Sequence, residues 1–259
     1  MSRRLEEIKI YMLGTAGSGK TSFTASFQGW LKQLDLEVAT VNLDPGEMNL
    51  PYDPEVDIRD WVDLYDVMEK FKLGPNGAQI ACSDEMALKA DEIKDAIDSF
   101  DADIILIDTP GQIELFAYRE TGRILIESLG VDNSIILFLF DPIISKRANG
   151  FVSLQMLSIS TQFIFSLPQL NILSKSDMFE DDLLKKIMEW YYTPETLYND
   201  LIDQKGISKE INIEVLKMLE VIGMQGSLIP ISSVDLNGMD DVYNFIVQLF
   251  KGGDDIADY

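Results

Sequence analysis

Apolar residues along the chain fall into short blocks separated by longer amphipathic stretches. Runs rich in Ile, Val, Leu and Phe over 8–13, 38–43, 103–107, 134–140, 169–173 and 227–231 read as strands. Most segments between them are long enough to carry a crossover helix, the pattern of an α/β, doubly wound, mostly parallel sheet with helices on both faces. The first helix is expected to start at the end of Gly14–Thr21 and to run to about Gln33.

Two segments exceed an ordinary connection. The insertion over 45–100 carries Met86, Ala90, Ile93, Ile97 and Phe100 at four- and three-residue steps. That spacing predicts one helix with a single apolar stripe, facing either its own core or a partner. Within the same insertion, KLGPNGA (Lys72–Ala78) has the chemistry of a turn, because proline presets φ and Asn-Gly tolerates positive φ. A helical elaboration over 178–226 contains two or three patterns broken at Thr193-Pro194 and Gly206, and the closing KGGDDIADY is an acidic tail expected to fray. These helical insertions are read as parts of a single domain over 1–259.

Composition narrows the chemistry. The 259 residues are 46% apolar, enough for a substantial core. Lys plus Arg number 21 against 44 Asp plus Glu, a net charge of −23, and the longest basic run is Arg3-Arg4. So acidic a body repels a phosphate backbone, and direct, general nucleic-acid binding is not expected. With one cysteine and no histidine, an internal disulfide is impossible and a Cys/His metal site is disfavoured. Catalysis must then rest on carboxylates, amides, Lys/Arg or a bound cation. Cys82 is expected to be a small buried hydrophobe. No stretch approaches a membrane span, so a soluble cytoplasmic protein without membrane contact is expected.

Gly14-Thr15-Ala16-Gly17-Ser18-Gly19-Lys20-Thr21, followed by Ser22, matches G-x-x-x-x-G-K-[ST] between a predicted strand and a predicted helix. This is the phosphate-binding P-loop: glycines let backbone N–H groups curl round phosphate oxygens, Lys20 reaches the β- and γ-phosphates, and the Thr21 hydroxyl holds Mg²⁺. DADIILIDTPGQIE ends an apolar run on Asp108, a strand-end carboxylate suited to orienting the Mg²⁺ shell, with the Gly111 amide available to the γ-phosphate. Ser174-Lys175-Ser176-Asp177 is similar to N-K-x-D, with serine where asparagine is usual. Asp177 can accept from the N1–H and N2–H₂ edge of guanine, and adenine presents no such donor pair. The Lys175 stem would lie along the base plane. Ser232 and Ser233 follow the last strand, where a loop would close over the base.

Together these residues resemble the GPN-loop GTPases, a P-loop group in the class that also holds signal-recognition-particle GTPases and MinD-like ATPases, and among them the compact archaeal type. The resemblance covers nearly the whole chain: Gly14–Thr21, VNLDP at Val41–Pro45, Gly74-Pro75-Asn76, DTPGQIE at Asp108–Glu114, FDP at Phe140–Pro142, and Ser174–Asp177. It implies GTP hydrolysis to GDP with Mg²⁺ in a homodimer whose GPN loop, through Asn76, enters the partner's site. Asp44 and Glu114 would organise the Mg²⁺ shell and the attacking water, and Gln112 would help orient that water. Such a dimer would act as a nucleotide-dependent switch or assembly factor, with RNA polymerase subunits a possible client class. Arg119 and Arg123 are left either solvated or on phosphate. Rival readings are a P-loop small-molecule kinase, a metal-insertion GTPase, which the missing histidines oppose, and a non-catalytic nucleotide-binding scaffold.

Overall fold

A computed structural model of the chain describes residues 7–202, 214, 217–218 and 226–251. Seven strands, β1 (Ile8–Gly14), β2 (Val38–Asn42), β3 (Val56–Asp57), β4 (Ile104–Asp108), β5 (Ser134–Phe140), β6 (Gln169–Leu173) and β7 (Leu228–Pro230), form one sheet in the order β3-β2-β4-β1-β5-β6-β7. Every neighbouring pair is parallel. The helices are α1 (Lys20–Lys32), α2 (Leu64–Phe71), α3 (Pro75–Leu88), α4 (Ala90–Asp98), α5 (Ile113–Ala117), α6 (Glu120–Leu129), α7 (Pro142–Ser145), α8 (Ala148–Phe165), α9 (Asp181–Tyr192), α10 (Pro194–Ile202) and α11 (Met239–Lys251).

A parallel sheet covered on both faces needs strands that are almost continuously apolar. β4 and β5 are so between Ile104 and Ile107 and between Ile135 and Phe140, while β1 departs only at Lys9. Alternation along β1 divides the core. Ile8, Ile10 and Met12 pack with Phe23, Phe27 and Leu31 of α1 and with Met239, Val242 and Ile246 of α11. Tyr11 and Leu13 face the opposite layer, to which α2 through α6 and α8 through α10 contribute, including Cys82, Met86, Ile93, Phe116, Phe151 and Trp190. Each such aliphatic or aromatic side chain withdrawn from water contributes about 1.5–3 kcal/mol. The doubly wound expectation therefore holds, and Cys82 is the buried hydrophobe anticipated, its thiol pushed up to about 11 by burial.

Three local readings change. Gly-Pro-Asn does not reverse the chain: Gly74 is the N-cap of α3 and Pro75 sits in its first turn, where a missing N–H costs nothing. The turn lies earlier, at Lys72, which closes α2 with φ 53. The single helix expected over the 86–100 stripe breaks at Lys89 into α3 and α4; Met86, Ala90, Ile93 and Ile97 are buried, but Phe100 is exposed. The two-residue strand β3 adds an edge that the hydrophobic pattern does not contain. In the elaboration, α9 and α10 meet at Thr193-Pro194 as expected, while Gly206, the tail over 252–259 and Arg3-Arg4 lie outside the described residues. Among the described residues no helix is long and apolar enough to cross a membrane.

Because all strands run the same way, Gly14, Asn42, Asp57, Asp108, Phe140, Leu173 and Pro230 end along one edge of the sheet. The crevice outside that edge is where an open parallel sheet presents its ligand site.

Candidate nucleotide site

The loop from β1 to α1 is built on glycines that no other residue could replace without strain. Gly17 and Gly19 have φ 82 and 94, and a Cβ on Gly14 would come 2.6 Å from the carbonyl oxygen of Leu139. Gly19 caps α1, so the first amides of that helix open toward the crevice. Lys20 is buried, its Nζ donating to the carbonyls of Gly14 (3.0 Å), Thr15 (3.3 Å) and Gly111 (3.4 Å). Burial lowers its pKa, against the opposing pull of Asp108 and Asp44. Thr15 Oγ1 and Ser18 Oγ are buried with no hydrogen-bond partner, while Ala16, Gly17 and Ser22 are exposed.

Asp108 ends β4 only 1% exposed. Its Oδ2 accepts from the Tyr52 hydroxyl at 3.0 Å, and its Oδ1 has no hydrogen-bond partner. Burial pushes this carboxyl up to about 6, even though Thr21, Tyr52 and Lys20 all favour its charged form. Asp44 accepts from the Gly46 N–H on Oδ1 and from the Gly111 N–H on Oδ2, each at 2.9 Å. The amide expected at a γ-phosphate is thus occupied by a carboxylate. Gln112 and Glu114 stand exposed at the start of α5. A cavity of about 230 Å³ opens between Ala16, Asp44, Gly111 and Gln112 on one side and Gln79 and Ser83 of α3 on the other.

The segment after Gly111 is bound to α3. Ser83 Oγ donates to the Leu115 carbonyl at 2.9 Å, Thr121 Oγ1 donates to the Ser83 carbonyl at 2.9 Å, and Arg119 pairs with Asp84 at 2.7 Å. Arg123 pairs with Glu127. Both arginines whose roles were open in the sequence end on carboxylates.

At the other end of the crevice, Ser174 Oγ lies 2.6 Å from the Ser18 carbonyl and 2.9 Å from that of Phe140. The serine in the asparagine position therefore still ties this motif to the P-loop. Lys175, at φ 53, reaches back over Gly19 and donates from Nζ to the Gly17 carbonyl at 2.9 Å. The Ser176 N–H donates to the Ile231 carbonyl at 2.8 Å, which brings in Ser232 and Ser233. Ser232 Oγ accepts from the N–H groups of Val234 and Asp235. The Asp177 carboxylate is exposed.

The fold thus brings Gly14–Thr21, Asp44, Asp108, Gly111 and Ser174–Asp177 to one crevice. Asn76 is not in it: it is exposed in the first turn of α3 and, among the described residues, its amide makes no hydrogen bond. Sequence reasoning missed Tyr52 and Asn42, the second buried between Asp57 and Asp44. Tyr52 belongs to no motif, and Asn42 reads only as part of VNLDP at Val41–Pro45, with no role of its own. The strand reads as 38–43, so the end of β2 on Asn42 and its burial against Asp57 could not be anticipated, and Tyr52 had no local signal. Among the described residues no group of three or more Cys, Asp or Glu could hold a metal unaided.

Residues 12–252 match the model of a family described as conserved hypothetical ATP-binding proteins. GPN-loop GTPase 3 of Saccharomyces cerevisiae is 29% identical over 222 residues, covering 84% of this chain and 80% of that one. GPN-loop GTPase 3 of Debaryomyces hansenii is 30% identical over 227 residues, covering 85% and 82%. The crystal structure of a GTPase in apo form from Pyrococcus abyssi is 27% identical, superposes with a TM-score of 0.82, and covers 93% of this chain and 96% of its own. A family model spanning nearly all of the sheet, and relatives aligned over most of their own length, show that the chain belongs to the GPN-loop GTPase family.

Proposed function

We propose that this chain binds GTP with Mg²⁺ and hydrolyses it to GDP and phosphate as a cytoplasmic homodimer whose shape follows the bound nucleotide. The observation that carries the reading is Asp108 Oδ1, a buried carboxylate oxygen near Thr21 without a protein partner. Such an atom is costly unless a cation or ordered water meets it. Thr21 and Asp108, with Asp44 nearby, are a donor set suited to Mg²⁺, a hard cation that takes few protein oxygens and leaves the rest to phosphate and water. Thr21 and Asp108 would hold the cation, which would supply positive charge against the negative charge that develops on the phosphate oxygens.

The chain's own groups supply the rest. Lys20, now held by carbonyls, turns its ammonium to the β/γ-oxygens. The Gly111 amide passes from Asp44 Oδ2 to the γ-phosphate, and the freed carboxylate accepts from the attacking water, with Gln112 and Glu114 orienting it. A loose phosphoryl-transfer transition state needs this positioning and charge stabilisation more than a strong base, so the missing histidine is no obstacle. Asp177 favours guanine over the ATP of the family's description. The exposed, unpaired amide of Asn76 supports a role in the partner's site. The dimer would serve as an assembly factor for a protein client, RNA polymerase subunits being the class suggested by the resemblance.

Phosphate release from GTP should exceed that from ATP at least about tenfold, and should fall about 10²-fold in Lys20→Ala or with EDTA. Equal use of ATP contradicts the base assignment, and release from neither nucleotide contradicts hydrolysis.

A further inference from the structure

The sheet register sets Asn42 beside Asp57 of β3 on one side and Asp108 of β4 on the other. Asn42 is fully buried, and its amide is completely engaged. Nδ2 donates to Asp57 Oδ1 at 3.0 Å and to the Asp44 carbonyl at 3.2 Å, while Oδ1 accepts from the Asp44 N–H at 3.0 Å. Asp57 is held in turn by Arg59, whose backbone N–H and Nε donate to Oδ1 at 3.0 and 2.9 Å, and whose Nε and Nη2 donate to Oδ2. Arg59 Nη1 is fixed on the Glu47 carbonyl at 2.8 Å. At the far end of this chain of bonds, Asp44 Oδ2 meets the Gly111 N–H.

We propose that Asn42, Asp57 and Arg59 form a positioning relay that fixes Asp44 so that its Oδ2 stands at the Gly111 amide. The proposal rests on the reading of Asp44 and Gly111 as groups on the γ-phosphate side of the site. Two observations set it apart from a tie that merely holds the edge strand. The edge is already pinned elsewhere: the Glu55 N–H donates to the Thr40 carbonyl at 2.9 Å, and Glu55 Oε2 accepts from the Thr40 N–H and hydroxyl at 2.6 and 2.8 Å. Asn42, moreover, directs two of its three bonds to the backbone of Asp44 rather than to β3. Arg59 makes Asp57 an acceptor only, which orients the Asn42 amide: the NH₂ must face Asp57, so the oxygen must face the Asp44 N–H. Asp44 then begins its turn at one rotation about the strand end, with Oδ1 closing on Gly46 and Oδ2 left to point across the crevice.

The relay can be read without turnover. In the nucleotide-free protein the Gly111 amide should be protected from hydrogen exchange, with Asp44→Ala giving the unprotected reference. Asp57→Ala and Asn42→Ala should speed Gly111 exchange at least about tenfold while leaving the amides of β1 and β4 unchanged. In GTP hydrolysis the same variants should lower kcat at least about tenfold with KM within about twofold, the split expected when a group is misplaced only for the reaction. Arg59→Lys keeps the charge, loses the two-point grip and sits partly exposed, so it folds where the buried variants fail; it should give about threefold on both readouts. Unchanged Gly111 exchange in folded Asp57→Ala or, failing that, in Arg59→Lys overturns the relay. So does faster exchange throughout the sheet, which marks a purely structural tie. If the wild-type protein hydrolyses no GTP, the hydrolase reading falls and the Gly111 exchange still decides the relay.

Discussion

Replacing Asp108 with asparagine should make the nucleotide-free protein more stable at neutral pH. The carboxyl is 1% exposed, receives the Tyr52 hydroxyl on one oxygen and nothing on the other, and titrates at about 6 instead of the ordinary 3.8. Burial is the dominant cause, and Thr21, Tyr52 and Lys20 only partly offset it. A shift of roughly two units at about 1.4 kcal/mol per unit corresponds to about 3 kcal/mol against the ionised form. The sign follows from linkage. A carboxyl whose folded pKa exceeds its unfolded value lets the folded state hold the proton longer, so stability is lost as pH rises from about 4 through about 6 and the full cost is present above that window. Asparagine keeps the shape and an acceptor for Tyr52 without the charge. Thermal unfolding in EDTA should therefore show Tm higher by roughly 6–12 °C for Asp108→Asn at pH 7.5, with the difference nearly gone at pH 4. GTP turnover of the same variant should drop at least about 10²-fold, because the oxygen that suits Mg²⁺ is lost. An Asp108→Asn protein that melts below wild type at pH 7.5, or whose Tm difference ignores pH, would refute this account of the buried carboxylate.

Tyr52→Phe removes the hydroxyl that donates to Asp108 Oδ2 and should lower the stability of the nucleotide-free protein by about 1.5–3 kcal/mol in urea unfolding; an unchanged midpoint would deny Tyr52 its place in the site. Gly122→Ala would set a Cβ 2.2 Å from the Phe116 carbonyl oxygen where α6 crosses α5, and should cost about 2 kcal/mol or more by the same measurement. Asp177→Asn should weaken GTP at least about tenfold while xanthosine triphosphate gains relative to it, as nucleotide titrations will show.

Parts of this molecule were legible because their signals are local. The P-loop could be read from eight consecutive residues, and the uninterrupted apolar runs within β4 and β5 announced buried parallel strands. Asp108 was visible because an apolar run ending on Asp-Thr-Pro-Gly follows a P-loop in the same chain; a strand-end Asp alone reads as a cap. Gly-Pro-Asn was misread because proline is favoured both after the first residue of a turn and in the first turn of a helix, and only the packing of Ala78, Cys82 and Met86 on the core decides for the helix. The strand β3 is two residues long and exists through its pairing with β2, which no periodicity can reveal. Tyr52 meets a carboxylate 56 positions away, and Asn42 meets Asp57 across 15, so these contacts come from topology rather than from any neighbouring residue. Ser174 shows the converse: it stands where asparagine is usual, and its hydroxyl makes the contact with the P-loop itself.

The central claim is a GTPase site completed by a second copy of the chain, and mixing two inactive variants tests it most directly. Lys20→Ala retains an intact α3 start, and Asn76→Ala retains an intact P-loop, so on the proposed arrangement their heterodimer would contain one complete composite site. With subunit exchange demonstrated by energy transfer between labelled copies, the mixture should recover GTP hydrolysis to at most about half of the wild-type rate per heterodimer. Exchanged heterodimers that remain as inactive as the parent variants, or full activity in Asn76→Ala alone, would contradict it.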